Sequence, residues 1–472
     1  MSSEPLYEAI AARLRESIHA GALGDGERVP SVRVMSRQVG VSIGTVVQAY
    51  QQLEAQGVIV ARPQSGYYVR TAQLPGIARP RQRAAPKPRP PSPSLLEQML
   101  NLFARDDLVP LHVAIPSPAL LPTARVAALS RELLRRSPER LYGYVQSAGL
   151  PALRQTIARR LILAGVDVEA DDVVITAGAL EAITLALQVL TQPGDAVLVE
   201  SPTYYGLLQA IAARGLKVVE IPVCCDDGPD LECALKALAT QPIRAAVLIP
   251  SFSNPSGALM PELARRTLAR ACAERGVPII EDDVYGELAF DGSRPTPLMA
   301  CDEADNVILC GSASKIIGPG LRIGWAVTPR WHDAIARAKA FTSIAASTLS
   351  QHVTTELLSG ANLERPLRRL RGELAANVAR FRGVIARHWP PGTCVSQPRG
   401  GLVLWVKLPT GFDAQCLFER ASEAGIGIVP GPLFSASGAH RDCVRLSCAV
   451  HWEARIEQAL IALGRLAHVA AG

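Results

Sequence analysis

Lys315 sits in the stretch Ser312-Ala313-Ser314-Lys315-Ile316-Ile317-Gly318-Pro319-Gly320-Leu321-Arg322, just past an apolar run that ends at Cys310. A lysine at a strand end, flanked by hydroxyls and glycines, is placed for nucleophilic amine chemistry on a carbonyl. Arg322, seven residues on, can return to the same place and hold an anion. Taken alone, Lys315 reads equally well as a solvated surface charge. Other chemistry-bearing residues share its setting at the end of an apolar run. Ile280-Glu281-Asp282-Asp283-Val284-Tyr285 gathers three carboxylates, and Asn254-Pro255-Ser256-Gly257 follows Val247-Leu248-Ile249. Tyr204 follows Glu200-Ser201-Pro202-Thr203, suited to stacking on a flat ring or to plain burial. Thr176-Ala177-Gly178-Ala179-Leu180 is a strand-to-helix turn of small residues whose backbone N–H groups can face an anion.

These positions demand a particular scaffold. The runs 173–176, 196–199, 218–221, 246–249, 278–280, 307–309 and 323–327 are short, β-branched and apolar, as buried strands are. Helical segments such as 179–190 and 261–275 lie between them. Alternation of this kind predicts an α/β fold with a mostly parallel sheet, and a site where the strands' C-terminal ends meet. A cluster of acids at such an end needs a cationic partner, and a pyridinium nitrogen is one.

Taken in order, these motifs resemble fold-type I pyridoxal-phosphate enzymes of the aminotransferase class I/II family, from about residue 110 to the C-terminus. The resemblance implies a large domain with a mostly parallel sheet and a smaller C-terminal α+β domain. It implies pyridoxal 5'-phosphate as cofactor, held by Lys315 as an internal aldimine. Asp282 would pair with the ring nitrogen, preferred over Asp283 because Asp282 stands in an Asp-x-x-Tyr spacing with Tyr285. Asn254 and Tyr285 would bond the phenolic oxygen, and Tyr204 would stack on the ring. The backbone of Ala179 and Leu180, with Ser312 and Arg322, would hold the phosphate, Arg322 through its fork of donors. Tyr144, in a Tyr-x4-Gly-x3-Leu-Arg pattern, would reach the phosphate across a dimer interface. Arg445 in Val444-Arg445-Leu446-Ser447 would clamp a substrate carboxylate.

The first seventy residues follow another plan. Leu6, Ile10, Leu14 and Ile18 recur at four-residue steps, predicting a helix of about fifteen residues that stops at Gly21 and Gly24. Ser31 is placed to cap a second helix that Gly40 ends, and Ser42 a third, in which Val46, Val47, Tyr50 and Leu53 face inward and Glu54 faces solvent. Runs 58–61 and 67–69 read as two strands of a wing around Arg62-Pro63-Gln64-Ser65-Gly66. The motifs Pro30-Ser31-Val32-Arg33, Val39-Gly40-Val41-Ser42, Thr45-Val46 and Arg62 to Tyr67 resemble a GntR-type winged helix-turn-helix. On that resemblance Arg33, Ser42, Thr45 and the Gly66 turn would contact double-stranded DNA. Ile43 stands where members of that family usually place an arginine; an aliphatic side chain there reads at best a thymine methyl.

Residues 72–94 interleave seven prolines with Arg79, Arg81, Arg83, Lys87 and Arg89. Such a stretch builds no core and predicts an extended tether reaching on the order of 70 Å. The chain's net charge of +6 lies within residues 1–90, most of it in 71–90. A basic excess at one end points to an anionic partner there, or simply to a solvated basic linker. Ten cysteines without paired spacing read as reduced, buried thiols, and eight histidines form no ligand-spaced cluster, so no metal site is expected. No apolar run reaches 18 residues and the first residues lack a signal-peptide pattern, so the expected location is cytoplasmic, off the membrane.

The expected organisation is a winged helix-turn-helix at 1–71, a Pro/Arg-rich linker at 72–94 and an aminotransferase-like body at 95–472. Together they resemble the MocR family of transcriptional regulators. That resemblance implies a homodimer whose body senses a small amino acid or amine while its N-terminal domains bind DNA. The alternative is a working aminotransferase in which the N-terminal domain is an appendage.

Overall fold

The structure, a computed structural model, describes residues 5–19, 23, 26–62, 65–70, 74–77, 97, 102, 104–360 and 363–469. The chain forms two compact units, Met1–Leu74 together with Arg382–Arg387, and Pro75–Phe381 together with His388–Gly472. Among the described residues no helix is long and apolar enough to cross a membrane.

In the first unit, α1 (Leu6–His19), α2 (Val32–Val39) and α3 (Ile43–Ala55) precede a hairpin of β1 (Ile59–Arg62) and β2 (Gly66–Val69). Local chemistry sets the boundaries. The Ser31 hydroxyl accepts from the Val34 N–H at 3.3 Å, and Ser42 caps α3 by accepting from Thr45 at 3.2 Å. Gly40 ends α2 at φ 71°, a conformation that favours glycine. Ile10, Leu14, Ile18, Val46, Tyr50 and Leu53 form the core, and Tyr50 Oη donates to the Pro30 carbonyl at 2.7 Å. Two expectations change here. Val47 is only half-buried, and Ala49 takes the inward place beside Tyr50. Glu54 does not simply face solvent: it is half-buried, and its carboxylate accepts the Ala61 N–H at 2.9 Å, tying α3 to the hairpin. Gly21, Gly24, Pro63, Gln64 and most of the 72–94 linker lie outside the described residues.

The second unit is built on an eight-stranded sheet. Its strands are β3 (Val173–Thr176), β4 (Ala196–Ser201), β5 (Lys217–Cys224), β6 (Gly228–Pro229), β7 (Ile243–Leu248), β8 (Ile279–Asp282), β9 (Val307–Ser312) and β10 (Gly324–Val327). The order is β3-β10-β9-β8-β7-β4-β5-β6. Pairs β4–β5, β4–β7, β7–β8 and β8–β9 are parallel, and β10 runs antiparallel to both β3 and β9. The carboxyl ends of β3, β4, β7, β8 and β9 therefore share one edge. Most expected strands extend a residue or more beyond the apolar runs; 246–249 becomes 243–248, because Ile243 and Ala245 also pair with β4.

Val247, Ile280, Ile308 and Ala326 are buried on this sheet, covered by helices that include Ala179–Leu190, whose bounds match expectation. A smaller antiparallel sheet follows, with β11 (Cys394–Val395), β12 (Val403–Lys407), β13 (Val429–Pro430) and β14 (Cys443–Ser447) in the order β11-β12-β14-β13. All ten cysteines are free; six are buried and four, including Cys224 and Cys416, only half-buried.

Candidate functional site

The strand edge opens into a cavity of about 380 Å³. It brings together Lys315, Asp282, Asn254, Tyr285, Tyr204 and Ser312, with Ala179, Leu180 and Arg322 on the phosphate-facing side expected from the sequence. Two expected residues lie elsewhere. Tyr144 is 85% exposed and lines none of this cavity. Arg445 is buried on β14, behind the lining.

Each side chain owes its place to local geometry. Strand alternation sorts the three acids of β8 and its exit, because neighbouring residues point to opposite faces. Glu281 turns away and accepts the N–H groups of Leu298 and Met299 at 2.8 and 2.9 Å. Asp283 turns the same way and pairs with Arg294. Only Asp282 faces the cavity. Its Oδ1 is buried without a hydrogen-bond partner among the described residues, as is Oδ1 of Asn254. Asn254 Nδ2 donates to Tyr285 Oη over 3.5 Å. Thr203 N–H donates to the Phe434 carbonyl at 2.9 Å, fixing the loop that carries Tyr204.

Lys315 Nζ crosses the cavity to donate to the Ala114 carbonyl at 2.9 Å. Burial pulls its amine down to about 8; Asp282 opposes that shift, and Arg445 and Arg322 add to it. Burial pushes Asp282 up to about 7, with Asp283 adding and Lys315 opposing. These are the shifts that desolvation produces in an ammonium and a carboxylate that share one enclosed space.

The anion side is a helix N-terminus. Gly178 caps Ala179–Leu190 with no side-chain bond, so the first N–H groups face the cavity. Gly178 has φ 97°, and a Cβ there would stand 2.7 Å from Arg322 Nη2. A Cβ on Gly324 would stand 2.4 Å from the Gly178 carbonyl carbon. Gly178 therefore leaves room for Arg322 on the turn and Gly324 lets its strand pass against the turn's backbone; Arg322 donates to the Ala177 carbonyl at 2.5 Å. Ser312 Oγ donates to Ser314 Oγ at 2.7 Å.

Several contributors escaped sequence reasoning. Ser314 lines the cavity and had a signal, its place beside Lys315. Val113, Ala114 and Ile115 form one wall and had none, lying outside every motif. Behind the anion turn, the fully buried Lys339 donates to Glu181 at 3.3 Å and to Ser343 at 2.9 Å. Burial alone would raise the Glu181 carboxyl, but Ser343, the Ala177 N–H and Lys339 together hold it below its usual range. Glu200 at the end of β4 accepts from Ile249 N–H and Ser253 Oγ, both at 3.3 Å, and burial pushes it up to about 8. Arg445 donates to the His112 carbonyl, while its Nε and Nη1 have no hydrogen-bond partner among the described residues. Burial, with Arg445 adding, draws His112 down to about 4, so the imidazole beside that guanidinium is neutral at pH 7.

In the first unit Arg33, Ser42 and Gly66 are exposed and Thr45 is half-buried. Ser42 Oγ and Thr45 Oγ1 lie 2.8 Å apart, so both hydroxyls already serve the cap. Ile43, on the first turn of α3, is 52% exposed. Arg62 stacks over the Tyr68 ring, stiffening the hairpin.

Residues 109–463 match the family model for aminotransferase class I and II, and residues 6–69 that for bacterial regulatory proteins of the gntR family. The uncharacterized HTH-type transcriptional regulator YjiR of Escherichia coli K12 is 37% identical over 97% of this chain and 98% of its own. The probable rhizopine catabolism regulatory protein MocR of Rhizobium meliloti is 29% identical over 90% and 86%. Among solved structures, LysN, the alpha-aminoadipate aminotransferase of Thermus thermophilus complexed with N-(5'-phosphopyridoxyl)-L-leucine, superposes with a TM-score of 0.73. It is 31% identical, over 81% of this chain and 96% of that one.

Proposed function

Because the chain belongs to the aminotransferase class I and II family and carries a gntR-family unit ahead of that body, the architecture of MocR-type regulators, we propose a cytoplasmic, DNA-binding transcriptional regulator whose body binds pyridoxal 5'-phosphate and a small amino acid or amine. The observation that carries this reading is the union in one chain of the winged unit with a cavity that joins Lys315, Asp282 and a helix N-terminus.

The residues fit the cofactor. Asp282 offers a buried carboxylate oxygen with no hydrogen-bond partner among the described residues, matched to a protonated ring nitrogen. The Gly178–Leu180 turn with Arg322 and Ser312 matches a phosphate, Tyr204 a flat ring, and Asn254 with Tyr285 a phenolic oxygen. When bound, pyridoxal phosphate supplies a carbonyl that condenses with amines and a ring that accepts electrons. Lys315 holds it through Nζ. With a pKa of about 8, roughly a quarter of that amine is neutral at pH 7.5, against about one part in a thousand for an ordinary lysine. The neutral form is the nucleophile. A cation facing Asp282 keeps its carboxylate charged by offsetting the burial that raises it. Arg445, whose Nε and Nη1 have no hydrogen-bond partner among the described residues, receives a ligand carboxylate that reaches past the lining, as a charge-assisted pair.

Tyr144, outside its own cavity and exposed, supports a homodimer in which each chain lends this phenol to the other's phosphate. Arg33, Ser42, Thr45 and Gly66 make the DNA contacts. A regulator of this kind requires a ligand that binds the DNA-competent and DNA-incompetent states unequally. A second reading, transamination, is favoured by one observation: Lys315, Asp282 and Arg445 are all present in one electrostatically linked cluster.

The test joins two measurements on the loaded full chain. Amino compounds are screened for a change in the cofactor's absorbance, and those that respond are added to gel shifts on DNA from upstream of the chain's own coding region. A spectral response without keto acid, together with altered DNA binding, is expected; keto-acid release with unaltered DNA binding would favour the enzyme. Lys315→Ala should lose the absorbance band, and its persistence would remove Lys315 from this role.

A further inference from the structure

We propose that the ligand of this cavity is an α-amino acid with an apolar, uncharged side chain, recognised by the wall Val113-Ala114-Ile115. The inference rests on the cofactor reading above and goes beyond it by naming the ligand's side-chain class.

Three observations converge. First, only three lining side chains among the described residues are charged: Lys315, Asp282 and Arg322. Each has its part in holding the cofactor, so this chain's own described lining leaves none for a distal charge on the ligand. Second, the lining left after the cofactor contacts is neutral: Val113, Ala114 and Ile115, with Ile183, Tyr205 and Leu207. Third, the wall lies between the two groups that fix an amino acid's head. Lys315 Nζ bonds the Ala114 carbonyl at 2.9 Å, and Arg445 bonds the carbonyl of His112, two residues earlier. The backbone of residues 112–114 thus runs between the two anchors of an amino acid's head, and the lining a bound ligand meets along it is Val113, Ala114 and Ile115. The segment is held firmly enough to discriminate. Ser447 N–H donates to the Leu111 carbonyl at 2.8 Å, and Ser117 N–H to the Ala449 carbonyl at 2.7 Å.

Lys315 Nζ would hold the cofactor's carbonyl carbon and, where a ligand amine replaced it there, would take up the ligand's surplus proton, so that one C–N bond would be exchanged for another with nothing oxidised or reduced. A side chain bearing a carboxylate or an ammonium would then be desolvated against valine and isoleucine with no counter-charge. A leucine-like side chain gains there instead.

The full-length protein, loaded with pyridoxal phosphate, is titrated with L-leucine, L-phenylalanine, L-glutamate, L-lysine and isoamylamine, following the cofactor's absorbance. Leucine or phenylalanine is expected to half-saturate at a concentration at least about tenfold lower than glutamate or lysine. Isoamylamine, which has leucine's side chain but no carboxylate for Arg445, is expected to trail leucine by a similar factor. Glutamate or lysine equalling leucine would overturn the proposal, as would silence from both apolar amino acids. Isoamylamine matching leucine would overturn its α-carboxylate. Failure to load cofactor at all, or a band that survives Lys315→Ala, would instead overturn the cofactor reading beneath it.

Discussion

Replacing Asp282 by asparagine separates two effects that a merely structural carboxylate would not separate. Asp282 is buried, its Oδ1 has no hydrogen-bond partner among the described residues, and burial pushes its pKa up to about 7. In the cofactor-loaded protein it contributes a charge-assisted bond worth about 1.5–3 kcal/mol. Its loss should weaken pyridoxal-phosphate binding by roughly 10- to 150-fold. In the unloaded protein the sign reverses. A carboxylate whose folded pKa is raised contributes stability at low pH and loses it as pH climbs from its ordinary value through about 7. Asp282→Asn should therefore stabilise the unloaded protein at pH 8, by on the order of 1–3 kcal/mol, and much less at pH 4. The assays are absorbance titration with the cofactor and urea denaturation at the two pH values. Asp283→Asn is the control. It removes the nearer of Arg294's two carboxylate partners, leaving Glu287 at 3.6 Å, and should cost about 1–3 kcal/mol of stability, with the cofactor's absorbance maximum unchanged in the protein that folds. Parental cofactor affinity in Asp282→Asn, or a larger spectral effect in Asp283→Asn, would refute the assignment.

Lys339→Met should leave the half-buried Glu181 without its cation and loosen the Ala177 turn; cofactor affinity should fall with the absorbance maximum unchanged, and equal affinity would dismiss this support role. Across pH, Glu200 and Asp282 are both raised by burial, to about 8 and about 7, and draw stability down between roughly pH 4 and 8, while His112, drawn down to about 4, adds stability up to about pH 6.5, so the loss in the unloaded protein should show mainly between about pH 6.5 and 8. Denaturation midpoints that stay flat from about pH 6.5 to 8 would contradict the burial of these charges. Arg33→Ala should weaken DNA binding across sequences and lower the salt slope by about 1 while cofactor loading is unchanged; undiminished affinity would remove Arg33 from the interface.

Much of the fold was legible in advance because the strands at the centre of a mostly parallel sheet are apolar on both faces, and their runs stand out at 196–199, 278–280 and 307–309. The caps at Ser31 and Ser42 were equally plain, since a hydroxyl ahead of a periodic apolar stretch has one economical use. Glu54 was misread because its spacing on α3 says nothing about the hairpin N–H that folds back onto it. Of the site, motifs at strand ends were visible as Lys315, Asn254 and the Asp282–Tyr285 spacing. Val113–Ile115 was not, because an ordinary apolar tripeptide acquires meaning only when Lys315 reaches its carbonyl.

The residue types alone determined that an amine, a carboxylate, an amide and a phosphate-sized turn recur at the ends of buried strands, since side-chain chemistry and strand periodicity are local properties. Only the tertiary structure decided which of three adjacent acids faces the amine, that Arg445 lies buried beside it, and that both meet one neutral wall. Those outcomes depend on which segments distant in the chain share a low-dielectric space, and it is that shared burial that draws Lys315 to about 8 and lifts Asp282 to about 7.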